Sequence, residues 1–234
     1  MQFLTNFMNS LLNWFYQLTV QIGWPSYGLA IIIFTILIKV LLYPLTLKQM
    51  KSIKMTQLLQ PKVKEIQEKY KNDPQKAQIA IMELYKEHGA NPLAGCLPIL
   101  IQMPIFIALY NALRNFKYLN AAHANFLWVH LSSKDPYYIL PIIAAAATFV
   151  QQKMSMAMNT STDPAQESMQ KTMLYVMPLM FGWFASQVPS GLALYWVVFN
   201  LVGIVQQYFI NRQTVVLKED SVGEERVRQK RKNR

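Results

Sequence analysis

The sequence predicts an all-α polytopic membrane protein with five transmembrane helices, and three observations carry that prediction. Five stretches of about 18–22 residues are almost free of charge. The chain is 53% hydrophobic but only 15% charged, against about 25% charged in an ordinary soluble domain. Its basic residues gather between alternate apolar stretches. A single cysteine, Cys96, excludes a disulfide framework, and the apolar content excludes a disordered chain. The net charge of +11 would also suit a soluble nucleic-acid binder, but the apolar stretches displace that reading.

Residues 1–25 carry no charged side chain and lack the basic start of a secretory signal. Phe3, Phe7, Leu11, Trp14, Phe15, Leu18 and Ile22 recur at helical spacing, interleaved with Asn6, Asn9, Asn13 and Gln17. This predicts an external amphipathic helix lying in the membrane interface, with a simple extension of the first span as the alternative. A bilayer core of about 30 Å needs roughly 20 helical residues, which sets the spans at 26–46, 93–113, 137–157, 172–189 and 190–211. The second, fourth and fifth contain no Asp, Glu, Lys or Arg. The third holds only Lys153, close enough to its end to reach the interface, and the first holds Lys39. The fourth is short, with a rise of about 27 Å over 18 residues. Pro189-Ser190-Gly191 then has to turn tightly into the fifth.

With the N-terminus outside, the cytoplasmic pieces are 47–92, 158–171 and the tail 212–234, and Lys153 counts with the second of them. They hold 9, 2 and 8 Lys+Arg, whereas 1–25 holds none and the external loop 114–136 holds three (Arg114, Lys117, Lys134). Nineteen against three is a strong positive-inside bias, so the topology is N-out, C-in.

Residues 47–92 are too long for a plain connector and mix charge with bulk. Ile53, Leu58, Val63, Ile66 and Tyr70 form a broken apolar stripe, Asn72-Asp73-Pro74 is a turn and helix start, and Ile79, Met82 and Tyr85 line a second helix ending at Gly89. This is a cytoplasmic helical hairpin, and Lys62, Lys64, Glu65, Glu68 and Lys69 are its candidate recruitment residues. The tail ends in RVRQKRKNR, a basic block expected to be disordered and to attract polyanions such as anionic lipid or ribosomal RNA. It has no base-reading motif, so no DNA partner follows.

Lys39 is the most informative polar residue. A lysine in mid-span costs about 2.5–3.5 kcal/mol on insertion scales, and no Asp or Glu lies in any span to neutralise it. It either snorkels to the interface or lines a hydrated cavity. Thr35 shares its face; Thr148, Gln152 and Ser155 form a polar stripe on the third span; Trp196, Asn200, Gly203 and Gln207 form another on the fifth. Gln102 sits in the second. Such stripes act as glue between helices or as the lining of a shared groove. His88, His123 and His130 lack metal-ligand spacing, and no phosphate loop or nucleophile elbow is present. The sequence therefore suggests no enzyme, metal or cofactor, and Cys96 is assigned to packing.

The strings KVLLYPLTLKQ from Lys39, LLQPKVKEIQEKYKNDPQK, NPLAGCLPILIQMPIFIALY, DPYYILPI, QQKM and PSGLALYWVVFN resemble the YidC/Oxa/Alb family of membrane protein insertases, in a short bacterial form without the large periplasmic domain. The similarity runs in order over about residues 24–212. It implies a five-span core in the bacterial cell membrane and a hydrophilic groove that receives the hydrophilic end of a newly made membrane protein. By resemblance Lys39 stands where most members carry arginine; Thr35, Gln152 and Trp196 match groove-lining positions, with Gln151, Tyr195 and Asn200 as further carry-overs. Arginine grips a carboxylate with two parallel hydrogen bonds, whereas lysine is a point charge. The implied partners are nascent membrane proteins, the Sec translocon, anionic lipids and, through the tail, the ribosome. The alternatives are a small secondary transporter or channel for organic anions, against which stand the absence of repeated halves and of a second intramembrane ionisable group, and a passive scaffold subunit.

Overall fold

The computed structural model describes residues 2–91, 97–114, 116, 118–156 and 164–232, and its architecture is helical throughout except for one two-residue hairpin. Cys96, Lys117 and residues 157–163 lie outside the described residues, as do the side chains of the basic tail.

Helix α1 (Gln2–Gln21) is more deeply engaged than an interfacial helix needs to be. Met8, Leu12, Phe15, Tyr16 and Thr19 are buried on one face, against α2 (Tyr27–Leu41) and α6 (Leu97–Arg114), while Phe3, Phe7 and Trp14 point outward. The spacing signal ran through both faces because both are apolar: one meets protein, the other is left for lipid.

Ser26 caps α2, its hydroxyl accepting from the Leu29 amide. The helix then breaks at Leu42 and resumes as α3 (Tyr43–Leu58), bent by 54°. Pro44 is the cause: it lacks the amide that would bond the Val40 carbonyl, and its ring crowds that carbonyl. The expected span 26–46 therefore contains a break four residues before its end. Hydropathy sums do not register such a break.

Helices α4 (Gln60–Lys69) and α5 (Pro74–Glu87) fold back on each other around Leu59, Val63, Tyr85 and Ala90. Asp73 caps α5 by accepting from the Lys76 amide at 3.1 Å, and Gly89 ends it with a left-handed φ of 61°.

Between α6 and α7 (Ile139–Met156) the chain makes a 3-10 turn (Ala121–Ala124) and a small hairpin, β1 (Asn125–Phe126) and β2 (Val129–His130), antiparallel with Asn125 opposite His130. Helix α8 (Pro164–Gln187) is 24 residues long and starts inside the segment 158–171. Its first turns are polar, so its helical length exceeds its apolar length. Helix α9 (Ser190–Lys232) continues through the tail that was expected to be disordered. From 213 to 222 that tail holds neither Gly nor Pro, the two residues that interrupt a helix most strongly.

Helix α9 is the centre of the bundle, packed on α2, α6, α7 and α8, and the core includes Phe34, Leu109, Leu113, Leu131, Leu192 and Tyr195. Among the described residues only Ser190–Arg212 is by itself long and apolar enough to cross a bilayer; α2 and α3 reach that length only as a bent pair. The outward faces are nevertheless apolar on every bundle helix. Leu37 and Val40 on α2, Leu100 on α6, Ile142 on α7, Leu179 and Trp183 on α8, and Leu201 and Val205 on α9 are all exposed. A soluble monomer rarely exposes so continuous an apolar surface.

Candidate functional site

Helix α2 places Lys39 two residues before its C-terminal end, with only 9% of its surface exposed. The ammonium does not snorkel outward. Its Nζ sits over the Phe199 ring of α9, 3.4 Å from the centroid. The described residues place no carboxylate at ion-pair distance from it. A desolvated cation–π contact is worth about 2 kcal/mol, which offsets much of the roughly 2.5–3.5 kcal/mol that a mid-span lysine costs. The Gln206 side-chain amide donates to the Lys39 carbonyl at 2.9 Å and ties the two helices together at the same level.

Gly203 makes room for this arrangement. A Cβ there would overlap the Gln151 side-chain amide and stand 3.2 Å from Lys39 Nζ. Gln151 and Lys39 therefore meet at one glycine, and Gln152 is the half-buried neighbour. Thr35 is fully buried and turns its hydroxyl back to the Ile31 carbonyl at 2.6 Å, a satisfied polar group on the Lys39 face.

The polar stripes of α7 and α9 do face each other. Trp196 Nε1 donates to Thr148 Oγ1 at 3.3 Å, and Asn211 Nδ2 donates to the Met154 carbonyl at 3.4 Å. The Trp196 ring is also wedged against Phe106 and Phe181. Asn200 is buried and donates to the Trp196 carbonyl at 2.8 Å. Tyr195 turns the other way: it is buried, and its hydroxyl accepts from Gln102 Nε2 on α6 at 2.6 Å. Of the sequence candidates, Lys39 and Gln151 share one spot beside Gly203, Trp196 lies against α7, and Tyr195 braces α6. Phe199 and Gln206 were missed. The available signal was the i, i+4 spacing of Phe199 and Gly203, which puts a ring and a gap side by side on one face.

The end of the bundle that carries the α8–α9 turn is closed by hydrogen bonds. Ser190 donates to the Ser133 carbonyl through both its amide and its hydroxyl, each at 2.7 Å, and the Gly191 amide donates to Leu131 at 2.9 Å. Tyr16 stacks on Tyr27 with centroids 4.0 Å apart, and the Tyr16 hydroxyl lies 2.6 Å from His123 Nδ1. Tyr118 packs beside them, its hydroxyl pushed above the usual tyrosine range by burial and partly restored by the bond from Ser132.

On the hairpin, Lys62 reaches His88 Nε2 at 3.4 Å, Lys69 lies near the Tyr70 ring, and Glu65 and Glu68 are exposed. Lys54, at the base, has a buried Nζ, and that burial lowers its pKa.

A profile of the family described as 60Kd inner membrane protein matches residues 17–218. The chain is 48% identical to the membrane protein insertase YidC of Fusobacterium nucleatum over 188 residues, 80% of this chain and 87% of that one. It is 49% identical to the membrane protein insertase MisCA of Bacillus subtilis over 189 residues, 79% of this chain and 70% of the relative. A third relative, the YidC of Wolinella succinogenes, is 48% identical over 203 residues, 86% of this chain but only 36% of the relative's length.

Proposed function

Because the chain belongs to the 60Kd inner membrane protein family, the YidC/Oxa/Alb insertases, we propose that it inserts newly made membrane proteins into the bacterial cell membrane. The proposed topology has spans 26–46, 93–113, 137–157, 172–189 and 190–211, N-out and C-in, with the hairpin 47–92 in the cytosol. The apolar outward faces of α2, α6, α7, α8 and α9 and the positive-inside charge distribution support it.

Lys39 carries the mechanism: it is a buried cation between α2 and α9 with a ring, not a carboxylate, against it. In this reading the hairpin, through Lys62, Lys64, Glu65, Glu68 and Lys69, and the basic tail meet the nascent chain, the Sec translocon or the ribosome at the membrane. The client's hydrophilic, often acidic end enters the groove lined by Thr35, Gln151, Gln152, Trp196 and Asn200 and is held near Lys39, while Tyr195 braces α6 behind it. Its apolar segment then leaves into lipid along the outward faces of α7 and α9. Transfer of apolar surface to lipid drives the step, and the membrane potential acts on acidic groups.

The test is insertion of a single-spanning client with an acidic N-terminal tail into proteoliposomes, scored by protease protection. Wild type, Lys39→Arg and Lys39→Gln are compared. Insertion that survives arginine and falls with glutamine supports the groove charge. Insertion by all three removes Lys39 from the mechanism, and insertion by none moves the reading to an anion transporter or a scaffold.

A further inference from the structure

We propose that Phe199 is the positioning residue of this groove: its ring takes the place of a counter-anion for the Lys39 ammonium, holding it in the cleft and leaving its charge unneutralised. The role of the client rests on the insertase reading above; the placement of the ammonium does not.

The contact stands apart from the other cation–ring pairs among the described residues. Lys69 lies 5.4 Å from the Tyr70 ring, and Arg114 and Lys153 each lie 6.0 Å from theirs, all three with exposed cations. Lys39 alone among these is buried, and its Nζ is at 3.4 Å. Two further features hold the geometry. Gly203, one turn after Phe199, leaves the space in which Nζ and the Gln151 amide meet, and Gln206, another turn on, fixes the backbone of Lys39 to α9. Ring, gap and clamp therefore lie on one stripe of α9.

The chemistry explains why a ring serves where a carboxylate would not. An aspartate or glutamate at this level would form an ion pair, cancel the charge and compete with any acidic client segment. A ring attracts the cation through its quadrupole and carries no net charge, so the site remains positive. An arriving carboxylate interacts with the ammonium as a full charge and displaces the weaker ring contact.

The test reads the position of the ammonium and the function separately. Full-length protein in detergent carries lysine labelled at Cε, with the Lys39 signal identified by its loss in Lys39→Arg. A ring at this distance shifts that signal strongly upfield. The shift is expected to vanish in Phe199→Leu, to persist in Phe199→Tyr, and to fade stepwise as Phe199 is replaced by mono-, di- and trifluorinated phenylalanine. The fluorinated rings keep the shape and weaken only the quadrupole, so they decide the matter even where Phe199→Leu fails to fold. Insertion of the acidic-tailed client is expected to fall roughly five- to thirtyfold in the leucine and trifluoro proteins, the factor such a contact supplies, and to survive in the tyrosine protein. An unshifted Lys39 signal in wild type, or a flat fluorination series, overturns the placement of the charge whatever the insertion assay shows. A signal that follows the ring while insertion stays constant overturns its role toward the client, and with insertion by Lys39→Gln it overturns the groove reading itself.

Discussion

Replacing Asp135 with alanine should loosen the end of the bundle at the α8–α9 turn without touching the surroundings of Lys39. Asp135 is 4% exposed and collects three donors: Trp128 Nε1 and the Tyr137 amide on Oδ1, each at 3.1 Å, and the Leu140 amide on Oδ2 at 2.7 Å. It caps the start of α7, pins the small hairpin through Trp128, and fixes the turn in which Tyr138 takes a left-handed φ of 58°. Tyr137 is exposed, so water can replace one bond. The Trp128 and Leu140 donors are left without an acceptor in a buried setting, at about 1–3 kcal/mol each, and part of this is offset because no buried carboxylate remains to be desolvated. The expected loss is about 2–4 kcal/mol, or roughly 5–15 °C in thermal unfolding for a chain of this size. Asp135→Asn keeps an oxygen for Trp128 and Tyr137 and loses the acceptor for Leu140, so it should cost about half as much. The assay is thermal unfolding in one detergent, followed by tryptophan fluorescence. An alanine protein within a degree or two of wild type, or an asparagine protein as unstable as the alanine one, would refute the reasoning.

Gly28→Ala should destabilise by about 1–3 kcal/mol although alanine is the better helix former, because a Cβ there falls within the space of the Phe126 ring; adding Phe126→Ala should recover part of the loss in the same unfolding assay. Val63→Ala, in the buried cluster between α4 and α5, should cost roughly 1–2 kcal/mol locally and speed amide exchange over Gln60–Glu87 while exchange in α9 stays unchanged. The hydrogen bonds from Lys76 hold the Asp73 carboxyl below the usual aspartate range. Its folded pKa is depressed, so its support of the α5 cap is present above the unfolded value of about 3.9 and is lost as pH falls through the folded one. The Lys76 amide resonance should titrate with a midpoint under that value, and in Asp73→Asn it should not titrate.

Legibility in the sequence followed the physics of each feature. Helicity, the hairpin turn at Asp73-Pro74 and the polar stripes of α7 and α9 depend on periodicity and local chemistry, and these are written along the chain. The Thr148–Trp196 bond joins two stripes recognised separately. The break at Leu42 was hidden because hydropathy is a sum over residues, whereas a kink depends on one missing amide, that of Pro44. Phe199 was hidden for another reason: in an apolar span an aromatic residue looks like lipid-facing bulk, and only the packing of α2 on α9 brings it under Lys39. Asp135 read as one letter of DPYYILPI; its three donors come from residues up to seven positions away, which no window on the sequence assembles.

The bend at Leu42 gives the α4–α5 hairpin a lever. Helix α3 has 16 residues, about 24 Å of rod, and at 54° its far end stands about 19 Å to the side of the line along which α2 leaves the bundle. The hairpin therefore hangs from an eccentric pivot and not from the end of a straight mast. At such a pivot a rotation of about ten degrees sweeps the base of α4 through about 4 Å. Pro44 removes a backbone bond just where that rotation would be resisted. A load placed on the tip of the hairpin then reaches the helix bundle as torque at Leu42, three residues from Lys39.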